Sequence, residues 1–323
     1  MTAAIRLISG KSPTALEFFA GIGLARAGLE QAGFSIAWAN DYEAKKHQLY
    51  RSQYGTDTDY HVGDIADVTG SDLPTDSALA WASSPCTDLS LAGNRGGLDG
   101  KQSGTFWHFM RILEEMGESR PPVAVLENVT GLASSHSGDD LTAAIRAFNS
   151  LGYSVDALSI DARHFIPQSR PRMFLVGALT PPESDETPSD LRPEWLEWIH
   201  SDPTLTTHRA PLPVVPPLLT EGFTALADQL PDDDPHWWNP HRTAAFLGSL
   251  SAVQAARLDS LRTSNQVSYR TAYRRTRQGK PVWEIRPDDI AGCLRTARGG
   301  SSRQAVVRVG KGEVAVRWMT PHE

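Results

Sequence analysis

The fold of this chain is constrained most by a short apolar run that a proline and a cysteine follow closely. Residues 78–82 read Ala-Leu-Ala-Trp-Ala, Pro85 and Cys86 follow, and residues 93–100 form a glycine-rich loop. A continuous apolar run of this length predicts a strand buried on both faces, as in a parallel sheet. Cys86 then lies near the carboxyl end of that strand, where ligands bind in open α/β sheets. The thiol is therefore a candidate nucleophile, and a small buried apolar side chain is the alternative.

Further apolar runs alternate with helical patterns over the first 180 residues. The predicted strands cover residues 14–19, 34–39, 78–82, 123–126, 154–160 and 172–179. The predicted helices cover residues 24–31 and 106–118, and a third runs to Leu151 from a cap at Asp139 or Asp140. This alternation predicts a doubly wound, Rossmann-like α/β domain. We expect Cys86 and Glu127 to follow two neighbouring strands of its sheet.

A glycine turn follows the first strand, and an acid ends the second. Gly21 and Gly23 would let the backbone approach a ligand at a helix N-terminus. Asp41 would lie where such folds bind ribose hydroxyls. A nicotinamide-binding domain would show nearly the same pattern, but Arg26 stands where its third glycine belongs. The turn alone therefore leaves a nicotinamide-dependent oxidoreductase open.

Composition is that of a soluble globular protein. The 323 residues are 40% hydrophobic and 21% charged, which are ordinary values for this class. No run approaches the roughly 18 apolar residues that span a bilayer, and residues 1–12 lack the apolar core of a signal peptide. The two cysteines, Cys86 and Cys293, exclude a disulfide framework and suit a reducing cytoplasm. We therefore expect a soluble cytoplasmic protein.

Charge is distributed unevenly along the chain. The formal net charge is −7, but residues 262–317 carry 13 Lys and Arg against 4 Asp and Glu, a local balance of +9. The remainder of the chain therefore carries −16. One basic segment on an acidic body is typical of a protein that binds a polyanion through one face, and an uneven solvated surface is the alternative. Arginines outnumber lysines 11 to 2 in this segment, which favours phosphate and base contacts.

Four motifs occur in a fixed order around these features. They are Phe19-Ala20-Gly21-Ile22-Gly23, Pro85-Cys86, Glu127-Asn128-Val129 and Gln168-Ser169-Arg170-Pro171-Arg172. The set resembles the F-x-G-x-G, P-C, E-N-V and Q-x-R-x-R motifs of the DNA (cytosine-5) methyltransferase family, of the restriction-modification type. The resemblance covers residues 14–178 and returns at residues 286–323. It implies a Rossmann-like domain that uses S-adenosyl-L-methionine, acts on double-stranded DNA and needs no metal.

The resemblance also implies which residues hold the cofactor. They are Phe19, Ala20, Gly21, Gly23, Asp41, Tyr42, Asp64, Ile65 and Pro85. Phe19 and Tyr42 would flank the adenine, and Asp64 would accept a hydrogen bond from its amino group. Asp41 would hold the ribose, and the two glycines would line the methionine portion. Plain core packing is the alternative for the two aromatic side chains.

A covalent mechanism follows from the same resemblance. The thiolate of Cys86 would add to C6 of a cytosine flipped out of the duplex, so that C5 can take the methyl group. Glu127 would hold N3 and the exocyclic amine. Arg172 would contact O2, with Arg170 in support. Ordinary ion pairs at a strand end are the alternative for the acid and the two arginines.

The composition changes at about residue 180, where we place the boundary between a catalytic domain (1–180) and a loop-rich target-recognition domain (181–323). Nine prolines crowd residues 181–217, which indicates loops, and residues 247–261 predict a helix. Aromatic and basic side chains interleave over residues 269–283, a pattern typical of nucleic-acid contact. The implied DNA-binding residues are Ser90, Arg95, Arg270, Arg274, Arg275, Arg298 and Arg303.

The family pattern continues beyond the counterpart of residues 317–323, with a helical segment that ends in a G-N-[SA]-V motif. We therefore expect a fragment, or a second polypeptide that supplies this segment, and stand-alone activity is open. A tRNA-directed member of the family and a non-catalytic DNA-binding subunit are two further alternatives. The intact Cys86, Glu127 and Arg172 favour a catalytic protein.

Overall fold

A computed structural model describes residues 12–85, 104–277, 279–294 and 303–323. Predictions for Cys86, Ser90, Arg95 and Arg298 lie outside the described residues. The chain forms two compact units, Met1–Ile160 with Arg172–Val214, and Asp161–Pro171 with Val215–Glu323.

The first unit is built on a seven-stranded sheet. Its strands are β1 (Thr14–Phe18), β2 (Ser35–Asp41), β3 (Asp59–Val62), β4 (Leu79–Ser83), β5 (Val123–Val129), β6 (Ser154–Asp161) and β7 (Pro171–Ala178). The strand order is β3-β2-β1-β4-β5-β7-β6. Strands β1 to β5 pair in parallel with their neighbours among these five, and β7 is antiparallel to β5.

Helices cover both faces of this sheet. They are α1 (Leu24–Gln31), α2 (Ala44–Tyr54), α3 (Thr105–Glu115), α4 (Asp139–Ser150) and the short α5 (Trp198–Ser201). Leu16 and Phe18 of β1 belong to the core cluster that includes α3 and α4. Ala15, one residue away in the alternating strand, packs in the cluster that includes α1 and α2. Both faces are therefore buried, which is why the strands read as continuous apolar runs. The predicted doubly wound α/β class is confirmed.

The strand order reverses direction between β1 and β4. From β1 the chain builds outward through β2 and β3, and it then returns to add β4 and β5 on the other side. The carboxyl ends of β1 and β4 thus border the crevice in which α/β sheets bind ligands. The glycine turn follows β1, and Pro85 and Cys86 follow β4.

The second unit contains a four-stranded antiparallel sheet. Its strands are β8 (Ser268–Arg277), β9 (Lys280–Ile285), β10 (Ala305–Gly310) and β11 (Glu313–Trp318), in the order β11-β10-β8-β9. Its helices are α6 (Phe223–Leu226), α7 (Pro240–Gly248) and α8 (Ala252–Arg262). The helix predicted at residues 247–261 is confirmed for residues 252–261, but residues 247–248 belong to the end of α7, and residues 249–251 separate the two helices. The chain breaks after α7, and the hydroxyl of Ser251 caps α8 by accepting from the N–H of Gln254.

A buried ion pair holds residues 317–323 in the second unit. The side chain of Arg317 is fully buried, and its Nη1 donates to Oε2 of Glu323 at 2.6 Å. The same carboxylate accepts the backbone N–H groups of Thr320 (2.9 Å) and Asp228 (2.8 Å). A buried charge needs this degree of pairing, since an unpaired one is costly.

Candidate active site

The turn between β1 and α1 has an unusual backbone. Phe19, Gly21 and Gly23 have positive φ angles of 58°, 59° and 84°. For a phenylalanine this conformation costs about 1–3 kcal/mol, and such strain clusters at ligand-binding sites. The N–H of Ala20 donates to the carbonyl of Asn40 on β2 at 2.7 Å, and the N–H of Gly23 donates to Ala20 at 2.9 Å. These bonds fix the strained turn at the edge of the sheet crevice.

Two tyrosines hold the turn through its carbonyl groups. The hydroxyl of Tyr54 on α2 donates to the carbonyl of Gly23 at 2.6 Å, and that of Tyr60 on β3 donates to Gly21 at 3.0 Å. A Cβ atom on Gly23 would lie 2.4 Å from Cε2 of Tyr54, so that position requires glycine. A Cβ atom on Gly21 would meet nothing nearer than 4.0 Å. The space beside Gly21 is therefore open to a ligand.

Asp41 ends β2, and its nearly buried carboxylate accepts hydrogen bonds at both oxygens. Oδ2 accepts the N–H of Gly21 at 3.1 Å, and Oδ1 accepts that of Glu43 at 3.0 Å. Nζ of Lys46 bonds to both oxygens, at 3.2 and 3.0 Å. These four bonds fill the roughly four lone-pair positions of a carboxylate. The sequence predicted Asp41 but not Lys46, because their separation follows no helical or strand period.

The other predicted cofactor residues differ in exposure. Asp64 follows β3, and its carboxylate accepts the N–H of Ala66 at 3.0 Å, which caps a short helical turn. Ile65 is buried, whereas Tyr42 is 59% exposed. Pro85 is half-buried and is the last described residue after β4. Tyr42 thus has accessible ring surface, while Ile65 contributes to the core.

Glu127 and Arg172 form an ion pair at the end of β5. Nε of Arg172 lies 2.8 Å from Oε1 of Glu127, and the two side chains are 17% and 19% exposed. In the parallel β4–β5 pair, Ser83 is in register with Glu127. Cys86 follows three residues after Ser83. Glu127 and Arg172, two of the predicted catalytic residues, are therefore in contact with each other. They lie beside β4, the strand after which the third, Cys86, follows.

Glu17 of β1 is fully buried next to the turn. Its carboxylate accepts the backbone N–H of Arg26 at 3.0 Å and the hydroxyl of Tyr50 at 3.2 Å. Burial raises the pKa of Glu17 to about 7, although both hydrogen bonds act to lower it. The guanidinium of Arg26 bonds to Glu30 at 2.7 Å and stacks over the ring of Tyr54 at 4.3 Å. No motif in the sequence indicated this network.

Arg170, the other predicted catalytic arginine, belongs to the second unit. Its Nη1 lies 3.3 Å from Sγ of Cys293 and donates to the carbonyl of Leu294 at 3.0 Å. Its backbone N–H donates to the carboxylate of Asp161 at 2.6 Å. Arg170 is thus bonded to two separate segments of its own unit.

The predicted DNA-binding arginines fall into two groups. Arg270 is largely buried, and its Nη1 pairs with Oδ1 of Asp289 at 3.2 Å. Arg274, Arg275 and Arg303 are exposed. Arg270 is therefore held inside the unit, whereas the other three are exposed, and Nε of Arg275 also pairs with Oε2 of Glu284 at 3.2 Å.

The described residues hold neither a candidate metal site nor a candidate membrane span. No group of three or more His, Cys, Asp or Glu side chains in the described ranges is arranged to hold a metal ion. None of the helices in the described part of the chain combines the length and apolar character needed to cross a bilayer.

Sequence comparison finds similarity to one well-defined family. A family model described as C-5 cytosine-specific DNA methylase matches residues 14–303. The type II methyltransferase M.Bsp6I of Bacillus sp. (strain RFL6) is 33% identical over 162 residues, which are 49% of this chain and 50% of the relative. The type II methyltransferase M.HhaI of Haemophilus parahaemolyticus is 30% identical over 173 residues, 52% of this chain and 51% of the relative. The chain thus spans about half the length of these curated relatives.

Solved structures of methyltransferases share the fold. S. pombe Dnmt2 methyltransferase superposes with a TM-score of 0.52 at 17% identity, covering 74% of this chain and 68% of that chain. Entamoeba histolytica methyltransferase EhMeth gives 0.52 at 14% identity, covering 74% and 67%. At these low sequence identities, the superpositions show only that the fold is shared.

Proposed function

Because the chain belongs to the C-5 cytosine-specific DNA methylase family, we propose that it transfers a methyl group from S-adenosyl-L-methionine to C5 of cytosine in double-stranded DNA. The observation that carries this proposal is the 2.8 Å ion pair between Glu127 and Arg172. It lies at the end of β5, in register with the last residue of β4, and β4 leads to Cys86. An acid, an arginine and a thiol are the groups that covalent attack on cytosine requires.

The crevice at β1 and β2 has the groups that the family's cofactor requires. The open space beside Gly21 suits the methionine portion, and the carboxylate of Asp41 would accept a ribose hydroxyl in place of one of its bonds from Lys46. The exposed ring of Tyr42 suits one face of the adenine. When bound, S-adenosylmethionine supplies a methyl group activated by the positive charge on its sulfur. The residues of the chain do the remaining chemistry.

In the proposed mechanism, Cys86 makes C5 of cytosine nucleophilic. Its thiolate adds to C6 and forms a carbon–sulfur bond, and the electron pair of the 5,6 double bond becomes available at C5. Glu127 holds N3 and the exocyclic amine and stabilises the charge that develops there. Arg172, oriented by Glu127, contacts O2. After C5 has taken the methyl group, a base removes the C5 proton, the carbon–sulfur bond breaks and the thiolate is released.

The target carbon is unreachable inside a stacked duplex, so the cytosine must flip out at a cost of a few kcal/mol. Contacts between phosphates and the exposed Arg274, Arg275 and Arg303 would offset part of this cost. A nucleophilic thiol that acts on DNA is suited to a reducing cytoplasm.

Methyl transfer from labelled cofactor to duplex DNA and to tRNA tests the proposal. We expect label in DNA, and we expect Glu127→Gln to reduce the rate by about 10²–10⁴-fold. Glu118→Gln, which removes the same charge from an exposed site in the same unit, should leave the rate unchanged. Label in tRNA alone would contradict the DNA substrate. DNA binding without methyl transfer would favour the alternative in which the chain is a non-catalytic DNA-binding subunit.

We also propose that a further polypeptide segment covers the surface near the glycine turn. Ile22, Leu24 and Leu49 are 42%, 75% and 58% exposed, and they lie in the turn, on α1 and on α2. Exposed apolar surface beside a ligand site is typical of a partner-binding region. A complementing polypeptide with the G-N-[SA]-V segment should therefore raise methyl transfer. A rate of methyl transfer that this polypeptide does not change would contradict the proposed covering segment.

A further inference from the structure

The buried acid of β1 lies at the same end of α1 as the glycine turn. Glu17 is fully buried, and its carboxylate accepts the backbone N–H of Arg26 in the first turn of α1 at 3.0 Å. Gly23 caps this helix, and Gly21, with open space beside it, lies two residues earlier in the chain. The N-terminus of a helix favours negative charge, so the carboxylate is suited to this place. An ion at the end of β1 and a ligand beside Gly21 therefore share one helix terminus.

The groups that face Glu17 do not compensate its charge when it is ionised. From α1, Arg26 and Glu30 act on it, and from α2, the uncharged hydroxyl of Tyr50 donates to it at 3.2 Å. Nε of Arg26 pairs with Oε1 of Glu30 at 2.7 Å. Arg26, Glu30 and an ionised Glu17 have a net charge of −1, whereas the same groups are neutral in sum when Glu17 is protonated. Loss of one proton therefore places one uncompensated negative charge at this end of α1.

The charge of Glu17 acts on the glycine turn through β3. The ring of Tyr60 on β3 contacts that of Tyr50, with their centroids 4.7 Å apart, and its hydroxyl donates to the carbonyl of Gly21 at 3.0 Å. Burial and the charges of Asp41 and Glu17 raise the pKa of Tyr60. Charges in a buried region are weakly screened. The carboxylate that acts on Tyr60 therefore also acts on a charge held beside Gly21.

We propose that ionised Glu17 makes the cofactor site select the positively charged cofactor over its neutral product. The inference rests on the proposed function. S-adenosylmethionine carries a positive charge on its sulfur, and transfer of the methyl group leaves S-adenosylhomocysteine, a neutral thioether. The two molecules share the adenosine and amino-acid parts, so contacts with Asp41 and Tyr42 do not distinguish them. A buried negative charge attracts the sulfonium more strongly than the thioether.

This selection should depend on pH near neutrality. Burial raises the pKa of Glu17 to about 7 in the protein without cofactor, so the negative charge develops as the pH rises through this value. Because the cofactor binds the ionised form more tightly, its affinity should rise over the same range. By reciprocity, cofactor binding should lower the pKa of Glu17 and release a proton. The neutral product should do neither, so loss of the methyl group would favour product release.

Titration calorimetry of the full chain with S-adenosylmethionine and with S-adenosylhomocysteine, each at pH 6 and pH 8, tests the proposal. We expect the ratio of the two affinities to rise about fivefold in favour of the cofactor over this range. Glu17→Gln should abolish the rise. A histidine also changes charge in this range, and the ring of His47 stacks on that of Tyr60 with centroids 4.6 Å apart. His47→Gln is therefore the control and should retain the rise.

A second variant separates the charge of Glu17 from a merely structural role. The hydroxyl of Tyr50 donates a hydrogen bond that lowers the pKa of Glu17. Tyr50→Phe should therefore move the rise in selectivity to a higher pH, without abolishing it. Proton release on cofactor binding is obtained from the same titrations at pH 7 in two buffers of different ionisation enthalpy. The unmodified chain should release a fraction of a proton, and Glu17→Gln should not.

Each outcome bears on the proposal separately from the proposed function. An affinity ratio that does not change with pH, or a rise that survives in Glu17→Gln, would overturn the role of Glu17. A rise that is lost in His47→Gln and kept in Glu17→Gln would assign the effect to the histidine instead. Binding of both compounds without a pH-dependent ratio overturns the selection alone. Failure of both compounds to bind would count against the proposed function as well.

Discussion

The carboxylate of Asp41 has two potential partners, Lys46 and the proposed ribose. Nζ of Lys46 lies within 3.2 Å of both oxygens of Asp41, and it lies 3.7 Å from Oε2 of Glu43. A ribose hydroxyl that donates to Asp41 has to displace one of these bonds, because the lone pairs are already used. Glu43 offers the displaced ammonium a second carboxylate. In the proposed site, Lys46 therefore competes with the cofactor for the carboxylate of Asp41.

Removal of this competitor should strengthen cofactor binding. We expect Lys46→Met to tighten S-adenosylmethionine binding by about tenfold, since a charged hydrogen bond no longer has to be broken. Lys45→Met, on an exposed neighbouring position of α2, should have no effect. Titration calorimetry on the full chain measures both. Weaker binding by Lys46→Met would mean that Lys46 orients Asp41 for the ligand.

Position near the end of a predicted strand was sufficient to predict some of these residues and not others. Asp41, Glu127 and Arg172 could be predicted because each is at or next to the end of a strand whose apolar run is legible in the sequence. Lys46 and Tyr54 could not, because α2 has no clear apolar stripe and their contacts depend on how the helix packs. Contacts made by packing have no fixed spacing in the chain.

At the scale of elements, the turn between β1 and α1 depends on two tyrosines and on glycine. Gly23 has a φ of +84°, and a Cβ atom there would lie 2.4 Å from the ring of Tyr54. Gly23→Ala should therefore destabilise the first unit by about 1–3 kcal/mol and weaken cofactor binding. Gly28→Ala is the matched control, because Gly28 lies inside α1 with nothing within 4 Å of its Cβ position. It should stabilise the fold by about 0.5–1 kcal/mol. Chemical denaturation measures both, and equal effects would contradict the account of the turn.

The buried Glu17 makes the stability of the first unit dependent on pH. Its pKa is about 7 in the folded protein, against an ordinary value of 4.5. The folded state therefore binds a proton more tightly than the unfolded chain, and stability falls as the pH rises from about 4.5 through 7. We expect a loss on the order of 2–3 kcal/mol between pH 5 and pH 8 from this group.

Glu17→Gln tests this dependence, since an amide keeps the hydrogen-bonding shape without the charge. Its free energy of unfolding should fall much less between pH 5 and pH 8 than that of the unmodified chain. Glu118→Gln, at an exposed site, should retain the full dependence. A pH profile unchanged by Glu17→Gln would contradict the buried, proton-binding carboxyl.

Six of the seven strands of the first unit and its helices α1, α3 and α4 were predicted, for a physical reason that does not hold in the second unit, whereas the mostly exposed β3 and the helix α2 were missed. Parallel strands buried on both faces read as apolar runs, and helix α1 was predicted at residues 24–31 as observed. Strand β8 instead has mostly buried side chains in its first half and a run of exposed residues with three arginines at its end, and its basic residues indicated only nucleic-acid contact. The chain breaks between α7 and α8 because Ser251 caps the start of α8. The apolar residues on either side of Ser251 made this cap hard to predict from the sequence.

The whole molecule has a net charge of −7, so DNA binding requires that one basic segment makes the contacts with the DNA. Arg274 of that segment is exposed. Arg274→Gln should weaken DNA binding about equally for all sequences and reduce the slope of log affinity against log salt by about 1. Arg51→Gln, at an exposed position of α2, should leave the slope unchanged. An unaltered slope for Arg274→Gln would count against the phosphate contact.

Covalent attack by Cys86 is the central claim, and trapping of the enzyme–DNA bond tests it most directly. Duplex DNA with 5-fluorocytosine at the target positions is incubated with the chain and S-adenosylmethionine. The fluorine cannot leave C5 as a proton does, so the carbon–sulfur bond should persist as an adduct that resists denaturation. Cys86→Ser should form none. An adduct that survives in Cys86→Ser, or its absence from a protein that methylates ordinary DNA, would contradict the account.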